Sequence, residues 1–196
     1  LCDQGGTSGR WWEDQRTDPE VAQHMMTQAL LNLTGITDTV EAWDALFKDF
    51  NRTHYDQNDV GYQAGDKIAI KVNAFGNSTI WTHAPLVNAV ASKLQAAGIP
   101  AEQIFIFDSL AVFEDAGYQL NPDGPGVRCI AESDFSGEWQ VAGHTTRLSS
   151  TLQNCDALIN MPVLKSHMIA GLTFALKNHF GSVSNPSSLH ASIDQT

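Results

Sequence analysis

The sequence predicts an α/β protein, with a mostly parallel open sheet carrying helices on both faces and an N-terminal helical extension in front of it. Three observations lead there. From Asp66 onward, apolar runs of strand length alternate with stretches of helical period, at 67–73, 84–97 and 103–108. A strand-helix-strand succession of this kind demands a right-handed parallel crossover. A later run, Ala157-Leu-Ile-Asn-Met-Pro-Val-Leu164, is too short for a membrane span and apolar enough for a buried strand. Ahead of Asp66, by contrast, only helical spacing is found.

Residues 1–16 are polar apart from Trp11-Trp12 and read as an arm that packs its tryptophans onto the domain or offers them to a partner. Asp18-Pro19-Glu20 starts a helix, with an N-cap acid, proline in the first position and an acid in the first turn; Gly35 stops it. A second helix runs from Thr39 to Phe50, with Val40, Trp43, Leu46, Phe47 and Phe50 on one face. Residues 51–65 form a polar loop, in which His54, Asp56 and Asp59 read as solvated rather than metal-binding. Then come the strand 67–73, a helix over 84–97 closed by Gly98, and the strand 103–108. Short strands at 127–130 and 139–142 and a short helix at 149–154 lead to the strand 157–164. A Lys165-Ser-His167 turn and a helix ending at Phe180, with Gly181 as its C-cap, follow. The extension thus spans 1–60 and the α/β domain 61–196, as one folded unit.

Composition narrows the function. With 42% hydrophobic residues the chain can bury a substantial core. Its net charge of -11 repels nucleic acids and anionic membrane surfaces, so neither is expected as a partner. No apolar stretch reaches the eighteen or so residues of a membrane helix. Cys2, Cys129 and Cys155 share no ligand spacing, so no iron-sulfur cluster is expected within the chain. Neither a P-loop nor a dinucleotide glycine pattern is present, which disfavours nucleotide cofactors.

Open parallel sheets bind ligands beyond the carboxyl ends of their strands. The predicted strands end at Lys71-Val-Asn73, at Asp108 and at Lys165-Ser-His167, each delivering groups that can bind or transfer charge. Of the six lysines, Lys71, Lys165 and Lys177 fall at predicted element ends, enough for a small cationic pocket inside an acidic shell. Such a pocket favours a compact anion, a carboxylate or phosphate or a metal-bound anion. Lys71 has two readings, one facing solvent from the far side of its strand and one reaching a ligand or Asp108. Asp108 is a general base, a metal ligand or the N-cap of a following helix. His167 ranks first as acid/base or metal ligand, then His190 and His179, with Asp194 beyond. The catalytic set is therefore His167, Lys165 and Asp108; the ligand set is Lys71, Asn73, Lys177 and Asn178; a divalent metal, where one binds, falls to His167 and His190.

These segments, KIAIKVN at 67–73, the helix ending in AAG at 96–98, IFIFD at 104–108, and above all DALINMPVLKSH followed by GLTFALKNHFG, resemble the DUF362 family, a bacterial and archaeal domain of unknown function. The resemblance covers most of residues 60–190 and marks Lys165, His167, Lys177 and Asn178 as motif positions. It implies an exported, periplasmic or extracellular protein of the twin-arginine-signal type, in a natural chain continuing past Thr196. Many family members carry a ferredoxin-like cysteine module; this chain does not, so iron-sulfur chemistry is not carried over.

Two functions compete. One is an enzyme or binding protein with a small-anion site above the sheet. The other is a non-catalytic structural or interaction module, contacting a partner or a second copy through Trp11, Trp12 and the arm. A lysine-histidine cluster lining a concave pocket speaks for the first; tryptophans in an exposed patch speak for the second.

Overall fold

A computed structural model of the protein describes residues 17–76, 80–109, 112–141, 143–168 and 171–193. The tryptophan pair of the arm and Asp194 lie outside them. The extension is two helices, α1 (Pro19–Thr34) and α2 (Thr39–Tyr55). Asp18 caps α1 by accepting from the amides of Glu20 and Val21, and Gly35 closes it at φ 71°. Asp38 caps α2 in the same way. α2 runs past Phe50 to Tyr55, because Phe50 and His54, one turn apart, bring their rings within 4.5 Å and carry the helical face on. Asp56 then stops it in the left-handed conformation, and Asp59 pairs with Lys48, so both acids of this loop have structural work.

The sheet follows the predicted crossover. β1 (Ile68–Lys71) leads into α3 (Ala84–Ala96), and β2 (Ile104–Asp108) returns parallel to β1, Ile68 opposite Ile104. β3 (Arg128–Ala131) adds beside β2. β4 (Phe135–Val141) and β5 (His144–Ser149) form a separate antiparallel hairpin, and α4 (Ser150–Gln153) leads into β6 (Ala157–Asn160). β6 pairs with the free edge of β1, giving the all-parallel order β3-β2-β1-β6. Ile68, Ile70, Ile104 and Ile106 point from the sheet into a core with Val87, Val90 and Leu94 of α3 and Phe47 of α2. The extension therefore shares the core of the sheet.

The chain departs from the sequence reading after Asn160. Pro162 cannot donate to a ladder, and the strand ends at Asn160 rather than at Leu164. The expected Lys165-Ser-His167 turn is itself a strand, β7 (Lys165–His167), paired antiparallel with β8 (Gly171–Thr173). The expected helix over 171–180 cannot start, because Gly171 sits at φ 71° and reverses the chain. Only α5 (Ala175–Asn178) and a 3-10 turn, His179–Ser182, survive of it, before α6 (Pro186–Ile193).

Candidate functional site

The site is built from the floor upward by Lys71. β1 has alternating faces, and Ile68, Ile70 and Val72 take the core side, so Lys71 projects from the other face. It does not reach solvent there, correcting that reading: Lys71 is 0% exposed. Its ammonium donates to Asp108 Oδ1 at 2.7 Å and to the Val72 carbonyl at 2.6 Å. Asp108 Oδ2 accepts from the Ala74 amide at 2.8 Å, so the carboxylate ties the ends of β1 and β2 together. Burial draws Lys71 below and Asp108 above their ordinary pKa values, and each charge opposes the other's shift.

Gly181 covers this pair. A Cβ there would run into Asp108 Oδ1 and lie 2.8 Å from Lys71 Nζ, so the position is glycine for close approach and not, as the sequence reading has it, as a helix cap in positive φ. Asn178 adds a second tie, donating to the Lys71 carbonyl at 3.3 Å and to Asn160 Oδ1 at 2.7 Å, while Asn160 donates to the Ala175 carbonyl. The short α5 is thereby locked to the ends of β1 and β6.

Above this floor opens a cavity of about 170 Å³. Asn73, Asp108, Lys165, His167, Lys177, Asn178 and His190 all line it. Of the residues singled out from sequence, Lys71 and His179 do not line it, and Asp156 lies at the other end of the sheet, accepting from the Lys67 amide at 2.7 Å. Asn73 is held by its side chain, which donates to the Ile80 carbonyl, and by its amide on Thr82 Oγ1.

One wall is a stack of rings. His167 and His190 lie nearly parallel, 8° apart in plane with centroids 5.3 Å apart, and Phe180 packs 4.5 Å from His190. The Lys177 ammonium sits 3.5 Å over the Phe180 ring and 2.8 Å from His190 Nδ1, with Nε2 at 3.3 Å. A charged ammonium at both ring nitrogens opposes a metal cation at His190. Among the described residues no three His, Cys, Asp or Glu side chains gather as a metal group. His179 is turned elsewhere, its Nδ1 3.2 Å from Ser182 Oγ, and burial, with the Lys71 charge, lowers its pKa.

Lys165 differs from the other two lysines. It is half-buried on the cavity wall, and its ammonium makes no hydrogen bond or ion pair among the described residues. Burial and then the nearby Lys71 charge draw its pKa below the ordinary value, with Asp108 opposing. Two hydroxyls that sequence reasoning passes over complete the lining: Ser109 Oγ and Thr173 Oγ1 are buried and lack a hydrogen-bond partner among the described residues. Their signal in sequence is position, Ser109 directly after Asp108 at a strand end and Thr173 four residues before Lys177 in a stretch that reads as helix. A larger hollow of about 560 Å³, lined by Asn88, Tyr118, Gln119, Asn121 and Cys129 among others, carries no charged side chain. Burial pushes the Cys129 thiol there up to about 12, leaving it unreactive.

No curated protein and no solved structure matches the chain. Residues 68–195, which run from the first residue of β1 past the last described turn of α6, match the family described as Domain of unknown function (DUF362). The sheet, the floor pair and every lining residue of the cavity fall inside that span, and the chain belongs to the DUF362 family.

Proposed function

We propose that the chain binds a compact anion, a carboxylate or a phosphate, in the cavity at the carboxyl ends of β1 and β2, and acts on it. The observation that carries this reading is the convergence of Lys165 and Lys177 with two buried hydroxyls, unpartnered among the described residues, on one cavity of about 170 Å³. Buried polar groups are nearly always satisfied, and an anion accepts from ammonium and hydroxyl alike. Lys165 and Lys177 hold the anion, His167 moves a proton, and the Lys71–Asp108 pair positions the strand ends beneath them. A divalent metal fits less well, since Lys177 already sets a positive charge against His190.

The test is calorimetric titration of the protein with inorganic phosphate and with acetate. Lys165→Ala with His167→Ala should weaken binding by about 10- to 100-fold, the loss of one or two charge-assisted hydrogen bonds. Thermal stability should stay nearly unchanged, because neither side chain is fully buried. Equal binding by the double variant removes the reading.

A second reading, a module that self-associates, is favoured by the apolar residues that follow β6. Met168 is 99% and Leu176 87% exposed, with Leu164, Leu172 and Phe174 also exposed nearby. Sedimentation velocity over a range of concentrations tests it; a chain that stays monomeric rules self-association out.

A further inference from the structure

We propose that Lys165 is an amine nucleophile that forms a Schiff base with a small 2-oxo acid, whose carboxylate Lys177 binds. This rests on the anion-site reading above and names its substrate class. Of the three lysines around the cavity, Lys71 is consumed by Asp108 and stands behind the wall. Lys177 is fixed between Phe180 and His190. The Lys165 side chain faces the same space, its ammonium with no hydrogen bond or ion pair among the described residues.

One fixed ammonium beside one unengaged amine is the pairing a 2-oxo acid requires, because its anionic group and its electrophilic carbon are adjacent. The cavity volume admits a molecule of a few heavy atoms and little more. Burial and the Lys71 charge also keep a larger share of Lys165 as free amine near neutrality than a surface lysine has. Ser109 Oγ and Thr173 Oγ1 supply further donors for the substrate oxygens.

The chemistry balances without an oxidant or reductant. The Lys165 Nζ lone pair forms a bond to the carbonyl carbon, and the carbonyl π pair moves onto oxygen. That oxygen takes a proton from protonated His167, and the nitrogen gives one back to His167, leaving a carbinolamine. The C–O bond then breaks, the hydroxyl leaves as water with that second proton from His167, and the nitrogen lone pair closes a protonated imine, leaving His167 neutral. Amine and carbonyl are consumed; imine and one water are formed.

The experiment uses the whole chain with pyruvate and sodium borohydride, followed by intact-mass measurement and peptide mapping. The expected result is one reduced pyruvate adduct per chain, on Lys165, formed ahead of any adduct on Lys48, Lys67 or Lys93. Lys177→Met should raise the pyruvate concentration giving half-maximal trapping and still place the adduct on Lys165. Lys165→Arg, shown folded by circular dichroism, should abolish it. Adducts spread evenly over the surface lysines, or none at all, overturn the proposal. If pyruvate is not trapped while phosphate and acetate still bind, the Schiff base fails and the anion site stands; if none of them binds, both fall.

Discussion

Asp108 is the residue on which the site depends most. Its two oxygens hold an ammonium that is 0% exposed and the amide of Ala74. Replacing it with asparagine keeps the shape and leaves Lys71 buried without a counter-charge, which costs about 3–5 kcal/mol in chemical denaturation. The double variant Lys71→Met, Asp108→Leu should lose much less than the sum of the single changes, since it removes both charges at once. Additive losses would show that the two groups do not act as a pair. His179 gives a pH signature. Burial holds its folded-state pKa below 6.5, so the unfolded chain takes up a proton before the native one does. Stability is therefore undiminished above 6.5 and falls as pH drops through that value toward the lowered pKa. His179→Gln should flatten that slope in urea melts at graded pH; an unchanged slope would assign the acid sensitivity to other groups.

At the scale of elements, the helices and the buried strands were written in local chemistry and could be read from it. Asp18-Pro19 caps α1 because the acid accepts two orphan amides, and Asp18→Ala should cost about 1 kcal/mol with α1 still formed, measured by thermal melting and circular dichroism. β1, β2 and their crossover helix follow from apolar period alone. The end of β6 was legible too, in Pro162, but the weight of apolar residues beyond it masks the signal. The hairpin β7–β8 was not legible: Leu172, Ala175, Leu176 and Phe180 recur at helical spacing, yet Gly171 takes a left-handed turn and the strands pair across it. Asn73, Asp108, Lys165, His167 and Lys177 were singled out from their places at element ends and His190 from its nearness to His167 in sequence, and all line one cavity. What sequence could not supply was the direction of Lys71, whose place in the alternation fits solvent and a buried partner equally until Asp108 is set beside it. Nor could it supply Gly181, whose role is a contact across more than seventy residues of chain.

At the scale of the molecule, the site has two halves. The Lys71–Asp108 floor belongs to the first crossover, and Lys165, His167, Lys177 and His190 belong to the segment after β6. They meet only because β6 docks on β1, a pairing whose first contact, Lys67 to Asp156, spans 89 residues. Closing so long a loop is slow relative to the local steps of α1, α2 and α3. The order of events in refolding follows from that. Pulse-labelling hydrogen exchange should find amides of α3, β1 and β2 protected before those of β6, β7 and β8; simultaneous protection would show that the sheet forms in one step. Until β6 arrives, Lys71 and Asp108 already face one another without their Gly181 cover, so the nascent chain holds its most costly charges hydrated and seals them from water only as the cavity itself is completed.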